Sequence, residues 1–470
     1  MATCLQFGRQ NAILKRMEKQ DTPIALPQPF VRRMQDMLGD SAQDFLATYE
    51  MPPTRAFRLR IAPSPQDLPQ DWTRDPVAWA SNSYYFDTTQ DVGKHPAQDI
   101  GAYYIQEPSA MAVAAAVNAR PGERILDLCA APGGKTCAVA DAMQGQGILV
   151  SNEIVPSRAK TLARNVERMG LGHVVVLNEH PATIAKRFAG YFDKVIVDAP
   201  CSGEGMFRKT PAAREEWSPE AVEACAVRQL EILESACVTL HVGGELFYST
   251  CTFSPQENEG VISEFLYRHP EFKLAPLPSC EGAECGNADY VARPCPAIGL
   301  THRLYPHRLR GEGHFLARLI LTDGVPRMAD RSPRPLPEKQ TVAWRAFCDD
   351  ALELHPVATL RRGDTLCALQ VPIDMDGLHV LRAGLHLGQD IRGRFEPDHA
   401  LAAWLDPKHV RRRINVQDDA DKLTRYLRGE TCDCDQKGWG VVSAFGLSAG
   451  WFKSDGMTAK NHFPKGLRRN

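Results

Sequence analysis

Between Tyr103 and Leu321 short apolar runs alternate with longer amphipathic ones: RILDL, GGKTCAVADAM, GILVSNE, PSRAKTLARNVERMG and HVVVLNE, with KVIVDAP and ELFYSTC further on and a long helix around Glu220 to Leu240 between them. A strand covered on both faces reads as an unbroken apolar run, and the helices that link such strands read as amphipathic. The pattern therefore predicts an α/β fold with a doubly wound, mostly parallel sheet. Upstream, Phe30, Met34, Met37 and Leu38 fall at helical spacing and stop at Gly39. A second helix carries Phe45 and Leu46 and ends at the prolines of MPPTR. Residues 1–22 show no periodicity and read as an N-terminal extension. At VPRMADRSPRPLPEK prolines and charges replace the pattern, as in an interdomain linker. Beyond it TLCALQVPI, LHVLRAGLHLG and GWGVVSAFGLSAGWFKSDG predict small β-rich modules. The resulting division is 1–22, 23–102, 103–324, a linker at 325–338, 339–405 and 406–470.

Composition narrows the class. The chain has 470 residues, 43% hydrophobic and 24% charged, which is ordinary for a globular protein of about three domains and excludes collagen and wholesale disorder. No stretch reaches the roughly 20 apolar residues of a membrane helix, and the start lacks the apolar run of a secretory signal, so a cytoplasmic location is expected. The net charge of -2 conceals a basic C-terminal segment, with Arg411, Arg412 and Arg413 consecutive and Lys465, Arg468 and Arg469 near the end. Such a segment suits phosphates, and equally a solvated face. The 14 cysteines are scattered. Cys280, Cys285 and Cys295, and the pair Cys432 and Cys434, lack the CxxC spacing of a tetrahedral zinc site, so no metal is expected.

Candidate chemistry begins at ILDLCAAPGGKT, Ile125 to Thr136, where an apolar strand runs through small residues into a helix. Gly133 and Gly134 permit close approach of a ligand, and the helix start offers free N–H groups. A phosphate-binding P-loop needs glycine where Cys129 stands, and the dinucleotide GxGxxG is absent. The next strand ends in Ser151, Asn152 and Glu153, where an acid can accept bonds from ribose hydroxyls, so a nucleoside without a pyrophosphate fits. Two further strand ends, VIVDAPCSGEG and FYSTCTFSPQENE, carry Asp198, Cys201 and Cys251 to the same expected crevice. A lone cysteine is most often a buried structural thiol, but two in polar turns beyond strand ends point to chemistry.

DAPCSGEG and YSTCT, with CAAPGGKT upstream, resemble in order and spacing the motifs of the RNA cytosine carbon-5 methyltransferases of the Nol/Nop/Sun family. KHPAQDIGAYYIQEPSAM, HRLYPHRLRGEGHFLARL and KNHFPKGLR resemble its bacterial RsmF (YebU) branch, and the likeness runs from Leu26 to the end. The resemblance implies a Rossmann-like class I methyltransferase domain using S-adenosylmethionine. It also implies an α-rich, RNA-contacting N-terminal region and a PUA-like RNA-binding module over 406–470. It implies Cys251 as nucleophile, Cys201 as the residue assisting release, and Asp198 at the cytosine edge. The loop Cys129, Ala130, Ala131, Pro132, Gly133, Gly134 and Lys135 would hold the methionine part and sugar, and Glu153 the ribose. Where relatives often carry an Asp near the adenine this chain has Asn178, Glu179 and His180, which leaves that contact open among the three. Arg158 and Lys160, on an amphipathic helix, read as solvent-facing.

The implied substrate is rRNA of the small subunit, 16S rRNA, methylated by a monomer without DNA or membrane partners. A tRNA substrate is the first alternative. A non-catalytic ribosome-assembly factor is the second, disfavoured by the intact Cys201, Cys251 and Asp198. Arg208, Lys209, His302, Arg303, His307 and Arg308 are candidates for phosphate contacts, and an ordinary surface explains each as well. Trp439, Trp451 and Phe452 read as core of a small β module rather than as a base-stacking platform.

Overall fold

In the computed structural model, residues 25–60, 68–87, 89–329, 334–416 and 420–469 are described. The expected N-terminal extension and residues 330–333 of the expected linker lie outside them. Near the N-terminus, helix Gln28–Leu38 buries Phe30 and Met34 and ends at Gly39 (φ +52°), and helix Ala42–Ala47 buries Phe45. These are the two helices the spacing predicts. A small antiparallel sheet follows, β1 Ala56–Leu59, β2 Ser83–Tyr85 and β3 Tyr103–Gln106, in the order β2-β1-β3.

The central sheet is built next. Strands β4 Arg124–Asp127, β5 Ile148–Asn152, β6 Val174–Leu177, β7 Phe192–Asp198 and β8 Leu240–Thr250 run parallel, in the spatial order β8-β7-β4-β5-β6. Every residue of β4, β5 and β6 is buried, because helices cover both faces. This is the Rossmann-like α/β sheet expected from the apolar runs. Antiparallel strands extend it on one side: β9 Phe272–Ala275, β10 Ala283–Cys285, β11 His302–Leu304 and β12 His314–Leu321, with β12 between β8 and β11. Strands β13 Leu360–Arg362 and β14 Thr365–Ala368 begin a separate four-stranded sheet, completed by β16 Leu385–Ile391 and β17 Arg394–Pro397. Between them β15, Val380–Ala383, leaves that sheet and pairs antiparallel with β6, so the far edge of the central sheet is closed by the C-terminal half of the chain.

The last module is a five-stranded sheet of β18 Arg413–Asn415, β19 Cys432–Asp433, β20 Gly438–Ala444, β21 Leu447–Ser454 and β22 Thr458–Asn461. Trp439, Trp451 and Phe452 are 8%, 1% and 1% exposed, so they form core, as the sequence favours. One apolar cluster joins Phe57, Trp72 and Tyr103 of the N-terminal region to Tyr426, Phe445 and Phe463 of this module. Arg469 adds an ion pair with Asp99 and a hydrogen bond to the Lys94 carbonyl. Among the described residues no helix is long and apolar enough to cross a membrane.

A second cluster positions the site. Phe30 packs edge-on against Phe207 at 5.2 Å and Phe45 against Phe253 at 5.0 Å, with Trp217 and Tyr305 in the same cluster. Each buried aromatic contributes on the order of 1.5–3 kcal/mol. The N-terminal helices thereby clamp the two segments that follow β7 and β8.

Candidate active site

Because β4 to β8 are parallel, their carboxyl ends share one edge of the sheet, where ligands bind in such folds. After β4 the chain turns through Leu128 to Gly133 and enters helix Gly134–Ala142; Gly133 has φ +113°, a conformation that favours glycine. The turn is fixed from outside. Ala130 N–H donates to the Asn152 carbonyl at 2.8 Å, and the Asn152 amide donates to the carbonyls of Leu128 and Glu179. Beneath it Thr136 donates to Asp127 at 2.6 Å, and burial pushes the Asp127 carboxyl up to about 7. Burial also pushes the Cys129 thiol far up, which keeps it protonated and unreactive.

Glu153 is 3% exposed at the end of β5, accepts from the Val155 N–H and pairs with Arg158 at 3.3 Å. Arg158 also donates to the Ala131 carbonyl at 2.8 Å. Arg158 is exposed, as expected, and its guanidinium also reaches back to brace the loop. Lys160 is exposed.

The three adenine-side candidates have separate duties. Asn178 donates through Nδ2 to the carbonyls of Glu153 and Ile154. Glu179 accepts from the His379 N–H just before β15. His180 caps helix Pro181–Arg187 by accepting from the Ala182 N–H. A Cβ added at Gly134 would lie 3.1 Å from the Gln106 side chain, which would have to shift to admit it. Gln106 Oε1 beside it is buried without a partner. A bare backbone turn, an acid at the β5 end and an unpartnered buried acceptor together fit a nucleoside-bearing ligand.

At the end of β7 Asp198 receives Lys135 Nζ at 2.8 Å and Ser249 Oγ at 2.7 Å. Burial pushes the Asp198 carboxyl up, but the Lys135 ammonium, His314 and the two hydrogen bonds outweigh it and hold it below the usual carboxylate range. Three residues on, Cys201 Sγ lies 3.3 Å from Cys251 Sγ, both as free thiols in half-buried residues. The hydrogen bond with Cys251, together with burial, pushes the Cys201 thiol well above its ordinary value. The two cysteines predicted from separate strand ends thus meet, and Asp198, Lys135 and the 129–135 loop open on the same edge.

Groups absent from the sequence expectation hold this pair. Glu257 accepts from the Ser202 N–H and Oγ and from Gln229 Nε2. Gln229 also donates to the Pro200 carbonyl, and Tyr248 donates to the Glu257 carbonyl. Burial raises the Glu257 carboxyl to about 6. Gly205 N–H donates to the Cys251 carbonyl at 2.8 Å, tying the two cysteine segments directly. Glu257 lies in the FSPQENE run that marks the β8 end, and that polar run was the available signal.

Two candidate phosphate contacts need correction. Arg303, with a side chain 2% exposed, is paired with the fully buried Glu259 and donates to the Phe253 carbonyl and Tyr305 hydroxyl. Arg208, 7% exposed, is paired with Glu312 at 2.7 Å. Each is turned inward and neutralises a buried acid. His302 and His307 are half-buried, the latter packed on Phe45 and Tyr305. Lys209 and Arg308 are exposed, Arg308 pairing with Glu284.

Four family descriptions match the chain in order. "N-terminal domain of 16S rRNA methyltransferase RsmF" covers residues 26–108 and "16S rRNA methyltransferase RsmB/F" residues 114–320. "RsmF rRNA methyltransferase first C-terminal domain" covers residues 346–405 and "Methyltransferase RsmF PUA domain" residues 413–469. Ribosomal RNA small subunit methyltransferase F of Vibrio cholerae is 38% identical over 64% of this chain and 65% of its own length. That of Pectobacterium atrosepticum is 32% identical over 67% of this chain and 66% of its own. The match thus spans just under two thirds of those relatives. The Shewanella denitrificans protein of the same name is 31% identical over 81% of this chain and 79% of its own length. Among solved structures, a methyltransferase homologue from Pyrococcus horikoshii has a TM-score of 0.56 at 28% identity, covering 63% of this chain and 96% of that one. NSun6 from the same organism, solved with the S-adenosylmethionine analogue SFG, has a TM-score of 0.55 at 19% identity, covering 64% and 100%, and supports the fold. The chain belongs to the ribosomal RNA small subunit methyltransferase F family of S-adenosylmethionine-dependent methyltransferases.

Proposed function

We propose that the protein methylates carbon 5 of a cytosine in 16S rRNA through a covalent adduct between Cys251 and carbon 6 of the base. The observation that carries this reading is the pair of free thiols 3.3 Å apart beside an ionised, lysine-paired Asp198. Carbon 5 of cytosine is a poor nucleophile. Addition of the Cys251 thiolate to carbon 6 makes the ring an enamine whose carbon 5 can attack an electrophile. S-adenosylmethionine would supply that electrophile as its sulfonium methyl, the carbon–sulfur bond breaking to leave S-adenosylhomocysteine. Cys129, Ala130, Ala131, Pro132, Gly133, Gly134 and Lys135 would hold the cofactor's methionine and sugar, and Glu153 its ribose. Asp198, anionic at rest, stabilises the base protonated at ring nitrogen 3 as charge builds during addition. Cys201, or water held by it, then takes the proton from carbon 5, and the electron pair left behind expels the Cys251 thiolate.

Placing the base in this crevice requires it to be unstacked, which favours loops and helix ends in folded RNA. The C-terminal module and the N-terminal region joined to it would grip the surrounding RNA. The protein would act as a cytoplasmic monomer on the small subunit or its RNA.

Bisulfite sequencing of ribosomal and transfer RNA tests the substrate, comparing a strain lacking the protein with its parent and with a Cys251→Ala complement. One rRNA cytosine lost and not restored by Cys251→Ala is expected. A lost tRNA site would overturn the substrate, and no lost site would favour a binding role in subunit assembly. For the mechanism, Cys251→Ala should abolish transfer and Cys201→Ala should accumulate an adduct that survives denaturing gels. Inactivity of Cys201→Ala without an adduct would refute the division of roles.

A further inference from the structure

His314 stands at the crevice without a part in the chemistry above. Strand β12 pairs with β8 so that Phe315 faces Thr250. The paired register ends there; continued by one step it would set His314 against Cys251, the residue that follows β8, and residues directly opposite in an antiparallel pair share a face. The residue is 6% exposed. Its electrostatic neighbours are Lys135, Glu107 and Asp198, the outer two belonging to the candidate site.

The orientation of the ring follows from hydrogen-bond arithmetic. Glu107 accepts from the Ser109 and Glu312 N–H groups through Oε1, and from the Ala110 N–H and the Ser109 hydroxyl through Oε2. The Ser109 proton is therefore committed to Glu107, and Ser109 Oγ also accepts from the Gly313 N–H at 3.0 Å. The contact of 3.1 Å between Ser109 Oγ and His314 Nδ1 then needs its proton on Nδ1. Burial first, and Lys135 next, hold the imidazole below its ordinary range, so the ring is neutral. In that tautomer Nε2 is a bare acceptor. It is not among the buried unpartnered atoms, and the Gly313 carbonyl also bonds the ring.

We propose that His314 is a specificity residue whose Nε2 accepts a hydrogen bond from the exocyclic amino group of the target pyrimidine. A cytosine presents two such hydrogens, one for Asp198 and one for His314. A uracil presents a carbonyl oxygen at that position and would set two lone pairs against each other. The serine and glutamate behind the ring fix the tautomer, as second partners do for other imidazoles that must present one particular nitrogen.

This assignment rests on the cytosine reading above, and the test separates the two. Two synthetic RNAs span the cytosine located by bisulfite comparison, one with cytosine and one with pyrimidin-2-one, which lacks the amino group, at the target. Their affinities are measured by fluorescence anisotropy for the full chain carrying Cys251→Ala, which cannot form an adduct, and for the same chain with His314→Ala added. One hydrogen bond is worth about tenfold in affinity. The first protein should therefore prefer the cytosine RNA about a hundredfold, about tenfold for each amino hydrogen, and His314→Ala should lower that ratio about tenfold while binding of the pyrimidin-2-one RNA stays within about twofold. Thermal melts and S-adenosylmethionine binding check that the variant folds. A ratio unchanged by His314→Ala overturns the assignment. So does a ratio near one in the protein that retains His314, whatever the variant does. Absence of 5-methylcytosine from the unaltered protein and the cytosine RNA overturns the underlying reading and the assignment with it.

Discussion

Arg303 is a basic residue whose removal distinguishes a role in folding from a role in RNA binding. Its guanidinium is 2% exposed and paired with the fully buried Glu259, bonds Phe253 O and Tyr305 OH, and lies over the rings of Tyr290, Tyr305 and Phe315. Arg303→Ala leaves the Glu259 carboxylate with the Asn287 N–H at 3.3 Å as its remaining recorded partner. Breaking a buried pair from one side costs about 3–5 kcal/mol, because a desolvated charge is left uncompensated. For a domain of about 200 residues that lowers the melting midpoint by on the order of 10 °C. Replacing both partners, as in Arg303→Met with Glu259→Met, should restore a large part of the loss. Urea and thermal melts read the stability, and the slope of RNA affinity against salt reads phosphate contacts. A residue on RNA would lower that slope by about one unit at unchanged stability. An Arg303→Ala protein with parental melting and a reduced salt slope would refute the structural assignment.

Other outcomes follow from the same geometry. The Asp127 carboxyl is raised by burial to about 7, so the folded state binds a proton there that the unfolded chain loses near 4. This contribution to stability is full below about pH 4 and fades as pH rises toward 7; urea midpoints of Asp127→Asn should be flatter over that window, and an unchanged slope would count against it. Lys135→Met removes the cation holding Asp198 low, so the carboxyl should be protonated at higher pH and the acid limb of kcat/KM should move upward. S-adenosylmethionine affinity measured alongside separates a binding defect, and a limb that stays in place would sink this account. Phe30→Ala, fully buried and edge-on to Phe207, should cost about 3–5 kcal/mol and lower kcat by loosening the Cys201 segment. Parental kcat in a folded variant would detach the clamp from the chemistry.

Strands β4 to β8 were legible because each is an apolar run between amphipathic helices, and the loop and both cysteines because strand ends collect chemistry. The meeting of Cys201 with Cys251 follows from β7 lying beside β8, which topology rules make plausible for consecutive parallel strands. Arg303 and Arg208 were misread as surface because their partners, Glu259 and Glu312, lie 44 and 104 residues away, beyond any local pattern. Arg158 was read correctly as exposed, but its bond to the Ala131 carbonyl was not legible, because helical periodicity places a Cα on a face and says nothing of a long side chain that turns back. His314 was passed over as one basic residue in a basic segment. Its meaning comes from Ser109 and Glu107, about two hundred positions earlier.

The pairing of β15 with β6 imposes an order on synthesis. When a ribosome has finished the chain through β12, the strand Val174–Leu177 still has one edge unsatisfied, and the Glu179 carboxylate awaits a backbone donor 200 residues downstream. An exposed apolar edge of that kind recruits other chains. The nascent methyltransferase sheet is therefore vulnerable to misassembly until residue 383 has emerged. Fragments ending before β15 should expose that liability permanently, while the complete chain hides it within its own fold.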